Sequence, residues 1–65
     1  MSVRVVQIIE TVIENTHEGV ELADEVEEKL RQQGALIRAR KASTNNIIIS
    51  AEYHMIVHST NQMNI

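Results

Sequence analysis

Apolar residues follow three successive patterns along this chain. From Val3 to Ile13 both alternating sets carry them: Val3, Val5, Ile9 and Ile13 on one, Val6, Ile8 and Val12 on the other. β-Branched side chains suit a pleated strand, and apolar residues on both faces predict a strand covered on both sides. The period then becomes helical. Leu22, Ala23, Val26 and Leu30 recur at i, i+3/i+4, with Glu and Asp filling the opposite face. Asn15 or Thr16 serves as N-cap, and Asn15 with Glu18 has the spacing of a capping box. Gly34 can end the helix in a left-handed conformation. The helix is therefore expected over about residues 17–33. Period 2 returns over 35–43 and 47–59, with the turn-forming run Ser43-Thr44-Asn45-Asn46 between them, which reads as a β-hairpin.

The hairpin register decides which side chains share a face. A two-residue loop at Asn45-Asn46 pairs Thr44 with Ile47 and places Arg38 and Arg40 with Ile49, Ala51 and Tyr53. A three-residue loop pairs Ser43 with Ile47 instead. It groups Ala35, Ile37 and Ala39 with Ile47, Ile49, Ala51, Tyr53, Met55 and Val57, and leaves Leu36, Arg38, Arg40, Ile48, Ser50, Glu52, His54, Ile56 and His58 opposite. The second register gives one cleanly apolar face and sets Arg38 against Glu52, so it is preferred, with Asn46 accepting a positive φ. Tyr53 and Met55 are then core residues.

Strand, helix and hairpin in this order predict a single α+β domain of β-α-β-β type. The expected sheet is three-stranded and antiparallel, in order 1-3-2, with the helix packed on one face. The whole chain, 1–65, is one domain, and 60–65 reads as a polar tail. The opposite sheet face carries Leu36, Ile48 and Ile56 among polar groups, a mixture suited to an interface or a ligand floor.

Composition sharpens this picture. Sixty-five residues contain no Cys, Trp, Phe or Pro, and Tyr53 is the sole aromatic. Such a chain has no disulfide or thiolate staple and little aromatic area to bury. Self-association supplies the missing cover. The lack of Cys fits a reducing compartment. The first residues have no signal-peptide layout, and no apolar run reaches the ~20 residues of a membrane span. A cytoplasmic protein is the expectation.

Net charge is −3, and the charges are segregated. Residues 10–28 hold eight acids and no Lys or Arg, while Lys29, Arg31, Arg38, Arg40 and Lys41 follow with no acid among them. Arg38 and Arg40, two apart on one strand face, are spaced to grip a phosphate-bearing ligand, with Ser50 and His54 nearby to add hydrogen bonds. A cross-strand Arg38–Glu52 pair is the competing structural role. His54 and His58 are about 13 Å apart on a strand, too far to share a metal within one chain. Glu52 and His54 lack an accompanying nucleophile or second carboxylate, so catalysis is not expected. Net negative charge argues against long nucleic acid as a partner.

The order β-α-β-β, the acidic helix and the last strand Ser50-Ala51-Glu52-Tyr53-His54-Met55-Ile56-Val57-His58 resemble the dodecin-type fold. They also resemble a group of small sporulation-associated proteins of Bacillus. The likeness spans residues 3–59 and implies a small, hollow homo-oligomer. Dodecins stack flavin on a tryptophan of the second strand; the matching stretch here, Leu36-Ile37-Arg38-Ala39, has no aromatic, so no flavin and no other cofactor is expected. Small phage proteins that sequester nucleotide signals offer an analogy of size and habit. The expected function is non-enzymatic: a homo-oligomer that holds or sequesters a small anion, such as a nucleotide or cyclic nucleotide, at a subunit interface through Arg38, Arg40, Ser50 and His54. The alternative is an interaction module that modulates a partner protein through its sheet edge or acidic helix.

Overall fold

A computed structural model describes residues 1–58; the expected tail at 60–65 lies outside them. The elements are β1 (Ser2–Glu14), α1 (His17–Gln32), β2 (Leu36–Ala42) and β3 (Asn46–His58). The three strands form one antiparallel sheet in the order β1-β3-β2. The α+β architecture and strand order are those the sequence predicts.

α1 begins at an N-cap, Thr16, whose side-chain oxygen accepts from the Gly19 amide at 2.9 Å. Asn15 does not form the expected capping box with Glu18. Its side chain donates to the Ser43 carbonyl at 2.6 Å and its amide to the Asn45 carbonyl at 2.9 Å, tying the end of β1 to the hairpin turn. At the other end, Gly34 adopts φ +94°, the Gly34 amide donates to Arg31 and the Ala35 amide to Leu30. These two bonds form a Schellman cap, which satisfies terminal carbonyls at the one position where a left-handed residue is needed. Gly19 meets a different constraint. A Cβ there would overlap the Glu14 carbonyl oxygen, so the first helical turn can sit against the end of β1 only without a side chain.

The core is small and lies at one end of the sheet. Ile13, Ile47 and Ile49 from the strands pack with Ala23 of the helix, with Val26, Leu30 and Ile37 partly buried around them, and Ala35 and Ala51 are buried as well. The helix therefore points Ala23, Val26 and Leu30 inward, whereas Leu22, expected in the core, is 49% exposed. Leu22 lies off the inward stripe and shares a recess with Val12, Ile13 and Gly19 beside the end of β1.

Lengths explain why the core stops where it does. Thirteen strand residues extend about 43 Å at ~3.3 Å each, while sixteen helical residues extend only about 24 Å. The helical cover ends near Tyr53, whose hydroxyl donates to the Gln33 side-chain oxygen at 2.9 Å. Beyond it β1 and β3 continue as a two-stranded arm, because β2 pairs β3 only from Ile47 to Glu52. On the helix side of this arm Val3, Val5, Met55 and Val57 are exposed. Met55 is thus not a core residue, since no helix reaches it. An isolated two-stranded ribbon is marginal in water.

The hairpin register differs from the expected one. Ala42 pairs with Ile47, Lys41 with Ile48, Arg40 with Ile49 and Ala39 with Ser50, but Ile37 pairs with Ala51 and Leu36 with Glu52. Arg38 is the extra residue of a β-bulge. The Ser43 amide closes the turn on the Asn46 carbonyl at 2.8 Å, and Asn46 donates back to the Ser43 hydroxyl at 3.2 Å. No non-glycine residue among those described has positive φ, so Asn46 does not take the left-handed role expected of it.

Candidate functional site

The face of the sheet away from α1 is bare. Continuous pairing of β1 with β3 places Arg4, Val6, Ile8, Glu10 and Val12 on this side, together with Ile48, Ser50, Glu52, His54 and Ile56 of β3. Val6, Ile8, Val12, Leu36, Ile48 and Ile56 are all exposed aliphatics of this face. A hollow of about 310 Å³ opens on it, lined by Glu10, Arg38, Ala39, Lys41, Ile48 and Ser50.

The bulge decides which cations reach the hollow. Inserting one residue puts Arg38 and Ala39 on the same side and restores the alternation beyond them. Arg38 therefore lies on the open face, where its Nε is 3.0 Å from Glu52 Oε2. The expected Arg38–Glu52 contact is present, although Glu52 pairs with Leu36 in the ladder. Arg40 lies on the helix face. Its Nη1 donates to Asp24 Oδ1 at 2.6 Å and to Glu27 Oε2 at 2.8 Å. The hydrogen bond to Asp24, then that to Glu27, raises the Arg40 pKa above its ordinary value. Glu27 uses its other oxygen for Arg31 at 3.2 Å. Arg38 and Arg40 thus do not form the paired grip expected from their spacing.

The remaining expected site residues separate as well. Ser50 is half-buried in the wall of the hollow, opposite Glu10 on one side and Ala39 on the other. His54 is not in that wall: its Nε2 lies 2.6 Å from Glu52 Oε1. Glu52 therefore bridges His54 and Arg38 through separate oxygens. Lys41 is the cation that the spacing argument passed over. It reaches the open face because Lys41 pairs with Ile48 below the bulge. The basic run 38–41 contained the signal, but strict alternation from Arg38 placed Lys41 on the wrong side.

Part of the charge segregation is now explained. The acidic helix and the basic strand meet through Asp24, Glu27, Arg31 and Arg40 inside one chain. The cations that line the hollow are Lys41 and Arg38, the latter also on Glu52, with the Ser50 hydroxyl beside them and Glu10 at the β1 side.

No family model, no curated protein and no solved structure matches the chain. No helix among the described residues is long and apolar enough to cross a membrane.

Proposed function

We propose that this chain is a small non-enzymatic binding protein of the cytoplasm, active as a homo-oligomer, that sequesters a small anion where the open sheet faces of two copies meet. The observation that carries this reading is the coincidence of uncovered aliphatics with a cation-rimmed hollow. Val6, Ile8, Val12, Leu36, Ile48 and Ile56 are exposed on the same face, Ile48 in the wall of the hollow itself, and Arg38 and Lys41 stand on its β2 side.

A second copy brings the same face and buries both, which one chain cannot do for itself. Closing the hollow also lowers the local dielectric, so contacts between Arg38, Lys41 and a phosphate strengthen. The planar guanidinium retains donors beyond the Nε turned to Glu52, and Ser50 adds a hydroxyl. Glu10 repels an anion from the β1 side, so the ligand lies toward β2. A nucleotide or cyclic nucleotide fits this chemistry: phosphate on the cations, an apolar base against Ile48.

Light scattering measures the mass, and thermal melting with AMP, cyclic AMP and inorganic phosphate measures binding. The expected result is a mass that is a multiple of 7.4 kDa and a melting point raised by a nucleotide. Arg38→Ala and Lys41→Ala abolish that rise, whereas Arg40→Ala lowers the melting point but keeps the rise. A protein whose melting point responds to none of these compounds at millimolar concentration contradicts the ligand assignment.

A further inference from the structure

The sheet has two edges, and they are built differently. β2 is seven residues long, is interrupted by the bulge at Arg38, and carries Arg38, Arg40 and Lys41. Short length, bulges and cations are the devices that keep an edge from pairing with another chain. β1 is long and unbulged, and its one cation is Arg4. It runs thirteen residues, pairs with β3 without a break from Ser2 to Glu14, and contains no Lys, Pro or Gly. Its only neighbour in the sheet is β3.

We infer that the β1 edge pairs antiparallel with β1 of a second copy, making a continuous six-stranded sheet across a two-fold axis at Gln7. This rests on the homo-oligomeric reading above and adds to the open-face contact a second one, in the plane of the sheet.

The backbone parity supports the register. The Asn15 amide donates to Asn45, which extends the β1–β3 ladder by one hydrogen-bonded pair. Odd residues of β1 therefore face β3, and even residues turn their N–H and C=O to the free edge, since these pairs alternate. Arg4, Val6, Ile8, Glu10 and Val12 are the outward ones. A two-fold axis at Gln7 joins even residues to even residues, as a ladder requires. It sets Arg4 against Glu10 of the second copy, twice by symmetry, and Val6 against Ile8. On the helix side it sets Val5 against Ile9 and Val3 against Thr11.

Unlike charges meet, aliphatics meet, and Gln7 meets itself, so the strand is complementary to its own reverse. That self-complementarity selects a second copy as the occupant, because an isologous contact requires it. Shifting the axis one residue to Ile8 places Arg4 against Val12 and Glu10 against Val6, losing both charge pairs. The same axis at Gln7 carries the exposed Val3 of one arm opposite Thr11, next to Ile13 of the recess where Leu22 is exposed. Within one chain Arg4 pairs with Ile56 and Glu10 with Ser50, so neither charge is committed across the β1–β3 ladder.

The test is a charge swap read by analytical ultracentrifugation of the full chain. Arg4→Glu alone and Glu10→Arg alone each create two like-charge pairs and raise the dissociation constant roughly tenfold. An equimolar mixture of the two variants regains the wild-type mass, because in the mixed pair every acid again faces a base across the axis. Val6→Pro, which removes an outward N–H and leaves the β3 ladder intact, also dissociates the assembly. If wild-type protein associates, the variants do not weaken it and Ile48→Lys does, the edge pairing is wrong and the open-face association stands. A wild-type monomer at 100 µM overturns both.

Discussion

Arg38 and Arg40 are separated by one residue on β2, yet they serve opposite faces of the sheet. Arg38 reaches Glu52 beside the open hollow, and Arg40 reaches Asp24 and Glu27 under the helix. One inserted residue turns an apparent pair of arginines into two unrelated ion-pair sites, one on each face. It also divides labour: Arg40 ties the sheet to its helix, and Arg38 remains at the proposed ligand site.

The Arg40 network gives a pH prediction with a definite sign. A cation whose pKa is raised on folding contributes stability that is fully present below its unfolded value and lost only as pH rises through the folded one. Arg40 is shifted upward, first by the hydrogen bond to Asp24. Its contribution should therefore be constant from neutral to pH 10. Urea melts of wild type and Arg40→Gln at pH 7, 8.5 and 10 should show a less stable variant with the same difference at each pH.

Ile49 is fully buried, pairs with Thr11 and Arg40, and belongs to a core of few side chains. Ile49→Ala should cost about 2–5 kcal/mol, the range for deleting a buried branched side chain. In so small a domain this is a large share of total stability, and loss of the cooperative transition in circular dichroism is the expected outcome. Val12→Ala, on the exposed face, should change the stability of the isolated chain by less than about 1 kcal/mol.

The two glycines should respond differently to alanine. Gly34 needs its positive φ but has open space around it, so Gly34→Ala should cost only the ~1–2 kcal/mol of a left-handed residue. Gly19→Ala drives a methyl group into the Glu14 carbonyl. It should exceed the ~1–3 kcal/mol of ordinary overpacking, because backbone and not a side chain must yield. Denaturant midpoints of the two variants order them directly.

Deleting Arg38 removes the bulge residue and leaves Ile37 and Ala39 adjacent, facing Ala51 and Ser50, which are already adjacent on β3. The variant should fold with an unchanged far-ultraviolet spectrum and keep Arg40 on Asp24. It should also lose any nucleotide-induced rise in melting point. A deletion that unfolds the chain would show that the bulge is a structural requirement of β2.

Much of the fold was legible in the chain. Period-2 runs of Val and Ile, the 3.6-residue stripe of Ala23, Val26 and Leu30, and Gly34 at the helix end specify β-α-β-β order. Short connections then specify the 1-3-2 sheet, because local propensity and hydrophobic period act over a few residues at a time. Side-chain direction on β2 was not legible. It depends on where an extra residue is accommodated, and the bulge at Arg38 lets Ile37 reach the core and Arg40 reach the helix acids on one face. The bare arm likewise followed only from the assembled lengths: Met55 continues the apolar alternation of Ile49 and Ala51, but a helix of sixteen residues ends before it. Alternation records which positions can be covered, and only packing in three dimensions decides which of them a single chain covers.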